Sequence, residues 1–320
     1  MRWLTRLRPD TAGRPAPSAV AVTDGRSVFD VADERSLLDL LRAGPDVMAD
    51  LAAAALDRPP TAALTDVELA SPLQPPCLRD FLCFLDHYRN ATGNRDLDPT
   101  WERQPAFYFT NPHAVLGPAD EVPISPGSTM FDFELEVGAV IGSDGANLHP
   151  DEAEAHIAGY LIFCDWSARD LQLGEMPLGL GPAKGKDGAT TLGPWLVTAD
   201  ELADRRSGKG FELSMRAWIN DEPVTEGSLD RLDWSFPEMV AYASRGTWVR
   251  AGDVIGSGTV PMGCLLEHAV RDGEDFRGWL APGDRVRLEV ERLGTLDMTL
   301  GGAGPVNPMR ATADGSGEER

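Results

Sequence analysis

Three carboxylates recur at every second position of the segment Phe131–Gly142. Asp132, Glu134 and Glu136 alternate there with Phe131, Phe133, Leu135 and Val137. Period two predicts a strand with one apolar face. The acids then share the opposite face, with neighbours about 7 Å apart. Like charges so placed raise each other's pKa, and a cation between them removes that cost. The competing explanation is a solvent-facing edge strand that uses charge against aggregation. A second apolar run, Ile157–Cys164, ends at Asp165 and places another carboxylate at the rim of a sheet. In Cys77–Ala91 the residues Leu78, Phe81, Leu82, Leu85 and Tyr88 have helical spacing. Asp80 and His87, seven residues apart, are therefore expected on one face of a single helix. The set Asp80, Glu134, Glu136 and Asp165 offers only oxygen, which matches Mg²⁺ or Ca²⁺ better than Zn²⁺.

Between Asp165 and Trp195 the chain is rich in Gly and Pro and carries Arg169, Gln172, Lys184 and Lys186. Cations and amides beside a carboxylate-bound metal suit an anionic, oxygen-rich substrate. Other chemistries lack their signatures. The KGKDGATT stretch does not have the phosphate-loop order, no G-x-G-x-x-G follows a strand and opens a helix, and no G-x-S-x-G elbow is present.

The elements that must position these groups come from the chain as a whole. Its 320 residues favour two domains, or one large domain with an appendage. A net charge of −22 argues against a nucleic-acid partner. The apolar runs fall well short of the ~20 residues of a membrane span. Asp10 and the prolines after MRWLTRLRP interrupt any signal-peptide core, so a cytoplasmic protein is expected. Cys77, Cys83, Cys164 and Cys264 form no C-x-x-C pair and are expected to be reduced thiols in or near the core. Residues 1–75 are expected to form a small α/β N-terminal domain. Its features are a hairpin turning at Asp24-Gly25, a short helix ending at Gly44-Pro45, an alanine-rich helix over Val47–Leu56 and a strand at Val67–Ala70. Pro72, Pro75 and Pro76 make a stiff connector to a catalytic domain over 76–300, and residues 301–320 are expected to be a disordered tail.

The motifs together resemble the fumarylacetoacetate hydrolase family. DFELEVGAVIG at 132–142, FCDWSARDLQ at 163–172, KGKDGATTLGPW at 184–195 and GDVIGSGT at 252–259 occur in the family's order. The resemblance covers about Cys77 to Val290. It implies an α+β, β-rich fold, a mixed β-sandwich roll, with a divalent metal (Mg²⁺, with Ca²⁺ or Mn²⁺ as alternatives) and a homodimer. Glu134 and Glu136 match the family's E-x-E metal pair, Asp165 matches its D-W-S-A-R aspartate, and Asp80 matches the metal aspartate of its C–C hydrolases. His87 stands at the position of the catalytic histidine and Glu267 at that of its orienting glutamate. Lys186 matches a catalytic position; Tyr108, Arg169, Gln172 and Thr259 match substrate-side positions. Lys184 is then a bystander, and Arg169 would orient Asp165 or bind a substrate carboxylate. Asp132 receives no role and is read as a supporting or surface group.

Two departures stand out. Met176 occupies the place of a substrate-contacting tyrosine, and the stretch Thr259–Glu267 is shorter than in the hydrolase. The implied activity is hydrolysis of a C–C bond in a 1,3-dicarbonyl or acylpyruvate-type 2-oxo acid, with water activated by His87 and Glu267. The alternative on this scaffold is a lyase working through an enolate: a 2-oxo acid decarboxylase, a hydratase or a 2-keto-3-deoxy sugar-acid dehydratase. A further alternative is a non-catalytic ligand-binding relative.

Overall fold

The structure is a computed structural model and describes residues 1–9, 15–93 and 96–309. The expected tail falls partly outside these residues; up to Met309 it contains no helix or strand. The fold is α+β and β-rich, built on one long mixed sheet and a smaller antiparallel one. The long sheet runs from Ala62–Ala63 through Ser27–Asp30, Pro15–Thr23, Arg2–Pro9, Thr190–Thr198, Ile157–Ala168, Phe131–Ile141, Val254–Gly256 and Leu78–Phe81 to Phe107–Thr110. The smaller sheet has the order Glu222–Ser228, Ser214–Ile219, Arg285–Val290, Gly294–Thr299.

The acidic strand Phe131–Ile141 lies between Ile157–Ala168 and Val254–Gly256, so it is central and not an edge. Its period-two pattern divides cleanly. Phe131, Phe133, Leu135, Val137, Ala139 and Ile141 join the core that also holds Met215, Ala217 and Leu288 of the smaller sheet. On the other face the apolar end, Val140, packs into a second core with Leu37, Leu40 and Met48 of the N-terminal helices. That leaves the acidic end, Asp132 to Glu136, to build a site. All three acids are buried, so the charge is enclosed and not presented to solvent.

The N-terminal segment forms the expected elements. Asp24 accepts hydrogen bonds from the main-chain N–H of Arg26 and Ser27 at 2.8 and 2.7 Å, closing the hairpin turn. Helix Leu37–Ala43 starts at Ser36, whose Oγ accepts from Asp39 N, and gives way at Gly44 to helix Pro45–Leu56. Arg2–Pro9 pairs with Thr190–Thr198 through Arg2↔Val197 and Trp3↔Leu196, which joins these residues to the long sheet. No helix among the described residues is long and apolar enough to cross a membrane.

Two expectations are corrected. Asp165 does not end its strand at the rim of the sheet but lies inside Ile157–Ala168, whose pairing with Phe131–Ile141 continues through Ala168. Cys77–Ala91 is not a single helix: Leu78–Phe81 is a strand, and the helix begins at Leu85. Leu78–Phe81 runs parallel to Val254–Gly256 and antiparallel to Phe107–Thr110, so its main chain is satisfied on both sides. Four apolar residues at 78, 81, 82 and 85 fit a helical period, but a short apolar run does not distinguish helix from buried strand. Asp80 and His87 therefore arrive from different elements.

Candidate active site

Sheet register brings the carboxylates together. Asp165 is directly opposite Glu134 on neighbouring strands. Asp80 pairs with Gly256, and Gly256 with Gly138, so Asp80 sits two strands from Glu134. A Cβ on Gly256 would come within 2.6 Å of Asp80 Oδ1 and 3.1 Å of Glu136 Oε2. Only a residue without a side chain leaves both carboxylates this space. Oxygens of Asp80, Glu134 and Asp165 lie within 4.8 Å of one another. Glu136 is held by Gly258 N at 2.9 Å and Thr259 Oγ1 at 3.4 Å. Tyr108, opposite Asp80 in register, places its hydroxyl 2.7 Å from Asp80 Oδ2 and 2.5 Å from Asp165 Oδ2.

Two buried cations face these acids. Lys186 Nζ donates to Glu134 Oε2 at 2.6 Å and Asp165 Oδ2 at 2.5 Å. Arg169 donates through Nε to Asp132 Oδ2 at 2.9 Å and through Nη2 to Glu134 Oε1 at 2.7 Å; its Nη1 reaches Gln172 Oε1 at 3.1 Å. Arg169 thus holds Asp132 and Glu134, and Lys186 holds Asp165. Lys184 points outward to Asp187.

Burial works against ionisation throughout this cluster. It pushes the Asp80, Glu136 and Asp165 carboxyls above their usual range. For Glu134 the charges of Lys186 and Arg169 outweigh burial and hold the carboxyl well below that range. Lys186 behaves likewise: burial disfavours its charge, but Asp165 and Glu134 overcome it and keep the ammonium protonated above its ordinary value.

A divalent cation fits this donor set. Asp80 Oδ1 and Asp165 Oδ1 are buried without a hydrogen-bond partner. Arg169 and Lys186 alone do not neutralise five buried carboxylates, Asp80, Asp132, Glu134, Glu136 and Asp165. Only oxygens are offered, which suits Mg²⁺, Mn²⁺ and Ca²⁺. Replacing Gly256 by alanine should weaken Mg²⁺ binding roughly 10–100-fold, the usual effect of disturbing the groups behind a metal site. Calorimetric titration of correctly folded G256A checks this; unchanged affinity would separate Asp80 and Glu136 from the cation.

A second constellation stands beside the first. His87 Nδ1 is 3.0 Å from Glu267 Oε2. Glu267 is fully buried and fixed: its Oε1 accepts from Met262 N at 2.8 Å and Asn90 Nδ2 at 3.0 Å, and Cys264 Sγ lies 3.5 Å from Oε2. His87 comes from helix Leu85–Ala91 and Glu267 from the first turn of helix Leu265–Asp272. One cavity of about 460 Å³ is lined by Asp80, His87, Tyr108, Glu134, Lys186 and Thr259 among others, with Asp165 and Glu267 fully buried and outside its lining. Arg169, Gln172 and Glu136 also reach it.

Asp132 was assigned no role by the sequence, yet it ties these constellations together. Its Oδ1 accepts from Leu265 N at 2.7 Å, and its Oδ2 accepts from Leu266 N at 3.0 Å and from Arg169. It therefore caps the helix that carries Glu267 while gripping the guanidinium that holds Glu134. Its charge is compensated, so its position is structural and not superficial. Asn90, which steadies Glu267, was also missed. No local sequence signal marks either residue, because their partners lie far along the chain.

Residues 77–300 match the family described as fumarylacetoacetate (FAA) hydrolase C-terminal. The chain belongs to the fumarylacetoacetate hydrolase family. Among relatives in this family is a fumarylacetoacetase of Oryza sativa, 27% identical over 283 residues, covering 70% of this chain and 66% of the relative. Another is the human oxaloacetate tautomerase FAHD2A, mitochondrial, 31% identical over 195 residues, covering 61% of this chain and 58% of the relative. The chain thus spans about three-fifths to two-thirds of the length of these relatives. A solved fumarylacetoacetate hydrolase from Exiguobacterium antarcticum superposes with a TM-score of 0.71 at 26% identity, covering 94% of this chain and 99% of that one. A maleylpyruvate hydrolase from Sphingobium, solved with manganese(II) and pyruvate, shares the fold with a TM-score of 0.70 at 23% identity, covering 95% and 100%. The family thus includes hydrolases and tautomerases, and its members named here act on small organic acids.

Proposed function

We propose that this protein is a divalent-metal-dependent hydrolase that cleaves a C–C bond in an acylpyruvate-type 2-oxo acid. The carrying observation is His87, 3.0 Å from buried Glu267, in the wall of the cavity that Asp80, Glu134 and Glu136 also line. Asp80, Glu134, Glu136 and Asp165 would hold the cation, Mg²⁺ first and Ca²⁺ or Mn²⁺ as alternatives. When bound, that cation supplies Lewis-acid polarisation of the substrate carbonyl.

The chain's own residues do the rest. His87 Nδ1 lies 3.0 Å from Glu267 Oε2 but out of hydrogen-bond alignment; a small turn of the imidazole would let Glu267 accept the Nδ1 proton, fixing the tautomer and leaving Nε2 as the base. Nε2 takes a proton from water as the water oxygen adds to the acyl carbonyl carbon. The C–C bond then breaks, and its electron pair leaves on the pyruvyl carbon as an enolate. Protonation of that carbon by the imidazolium returns His87 to its starting state, giving a carboxylic acid and pyruvate. Lys186, held cationic, stabilises charge developing on substrate oxygen, with Gln172 and Thr259 orienting the substrate. Tyr108 presents its hydroxyl at the same place. Arg169 keeps Glu134 in position. In this reading residues 76–300 carry the chemistry as a catalytic domain, and residues 1–75 are a small domain packed on the Val140 end of the strand face that bears the acids. The substrate is a small anionic dicarbonyl, and the assembly is a homodimer in the cytoplasm.

A second reading draws on the human relative named oxaloacetate tautomerase and on YisK of Bacillus subtilis, which bears the same activity in its name and is 28% identical over 239 residues. Proton transfer or decarboxylation of an oxaloacetate-like acid needs no water-activating pair, so His87 separates the readings. The test is an ultraviolet assay of chelator-stripped protein, with and without Mg²⁺, against acylpyruvates and oxaloacetate. Mg²⁺-dependent loss of the acylpyruvate diketo-enolate absorbance supports hydrolysis. Turnover of oxaloacetate alone overturns it in favour of the second reading.

Binding of the cation should also be visible in stability. At a hundredfold excess over its dissociation constant, Mg²⁺ should add about 2.7 kcal/mol to the stripped protein. Thermal unfolding with and without Mg²⁺ checks this; if Mg²⁺, Mn²⁺ and Ca²⁺ all leave Tm unchanged, the cation is removed from the account.

A further inference from the structure

The site cavity is chemically mixed. Its wall holds Asp80, Glu134, Glu136, Lys186, Arg169 and His87, and a large apolar share made by Leu82, Tyr88, Trp101, Phe107, Met176 and Leu266. Tyr88 and Trp101 form an aromatic corner with ring centroids 5.2 Å apart and planes tilted by 46°. The corner is fixed from behind, where Trp234 Nε1 donates to Trp101 O at 3.2 Å. Thr92, which also borders this wall, has its hydroxyl engaged by Tyr88 O at 2.7 Å. Among the described residues, the permanent cations lining the cavity are Arg169 and Lys186. Each already bonds two buried carboxylates.

We infer that the acyl group of the substrate is uncharged and apolar, of aromatic or medium-chain type, and that the Tyr88–Trp101 corner with Met176 is its subsite. This rests on the acylpyruvate reading above and deepens it. A pyruvyl head would sit at the polar groups. A second carboxylate at the far end of the acyl group would be desolvated against rings and aliphatic carbons, with no described cation to pair it. An aromatic or alkyl group exchanges water for these same surfaces at a gain.

The experiment compares kcat/KM of the Mg²⁺-loaded full chain on benzoylpyruvate, acetylpyruvate and fumarylpyruvate. Benzoylpyruvate should exceed fumarylpyruvate by roughly 100-fold, the scale at which a pocket discriminates by contacts to one group. Trp101→Ala should narrow the benzoyl-to-acetyl ratio about 10-fold. Fumarylpyruvate cleaved as well as benzoylpyruvate would overturn the inference while leaving C–C hydrolysis intact. Calorimetric binding of two 2-oxo acids that differ in the tail, phenylpyruvate and 2-oxoglutarate, gives a readout independent of the reaction. Tighter phenylpyruvate binding supports the apolar subsite even if no acylpyruvate is cleaved, in which case the hydrolase reading fails alone. Equal or tighter 2-oxoglutarate binding overturns the subsite.

Discussion

His87→Ala is expected to lower kcat for acylpyruvate cleavage by about 10²–10⁴-fold, the range supplied by a positioned general base. The same variant should keep the Mg²⁺-dependent rise in Tm, because His87 is not among the carboxylates that would hold the cation. The pair of results matters more than either alone. A loss of rate with metal stabilisation intact assigns His87 to proton transfer; loss of both would make it part of the metal site. Glu267→Gln should share most of the rate loss, since it removes the acceptor that fixes the imidazole tautomer. The amide retains the shape, and Asn90 and Met262 N can still donate to its oxygen. Steady-state rates and thermal melts on the three proteins, side by side, check the whole set. If His87→Ala cleaves acylpyruvates at the wild-type rate, the dyad has no catalytic role.

Arg169→Met is expected to have the largest effect on stability, a loss of about 3 kcal/mol. Arg169 is buried and donates to Asp132 and Glu134, so its removal leaves buried negative charge short of a partner. Lys186 still serves Glu134, and Leu265 N and Leu266 N still serve Asp132, which keeps the loss at the lower end for a buried pair. Lys184→Met is the comparison: its exposed pair with Asp187 should change stability by less than about 1 kcal/mol. Urea unfolding midpoints of both variants in Mg²⁺ decide the matter. Equal effects would mean that the Arg169 network is no more than surface charge.

The sequence made the acidic strand legible because one face of Phe131–Ile141 meets a continuous core, which enforces alternation. It did not show that the acidic face is also enclosed, since the enclosing cations arrive from residues 169 and 186 and the caps from 258 to 266. The stretch from Cys77 failed for a different reason. Its apolar residues fit the helical period, and pairing with Val254–Gly256, some 175 positions away, nonetheless selects the strand. Yet Asp80 and His87 still reach one cavity, because a strand followed by a helix delivers the two side chains to the same rim. The motif resemblance located Glu267 across a shortened segment, and its oxygen does meet His87. Asp132 was readable only as one acid of three, since the partners that define it, Arg169, Leu265 and Leu266, lie 37, 133 and 134 positions away.

The most direct test of the central claim is the fate of the water oxygen. Benzoylpyruvate is incubated with the Mg²⁺-loaded protein in ¹⁸O-labelled water, and the products are read by mass spectrometry at early times. Hydrolysis gives benzoate and pyruvate in equal amounts, with one solvent oxygen in the benzoate carboxylate. Release of carbon dioxide, or recovery of the substrate with its C–C bonds intact and no benzoate formed, would contradict it.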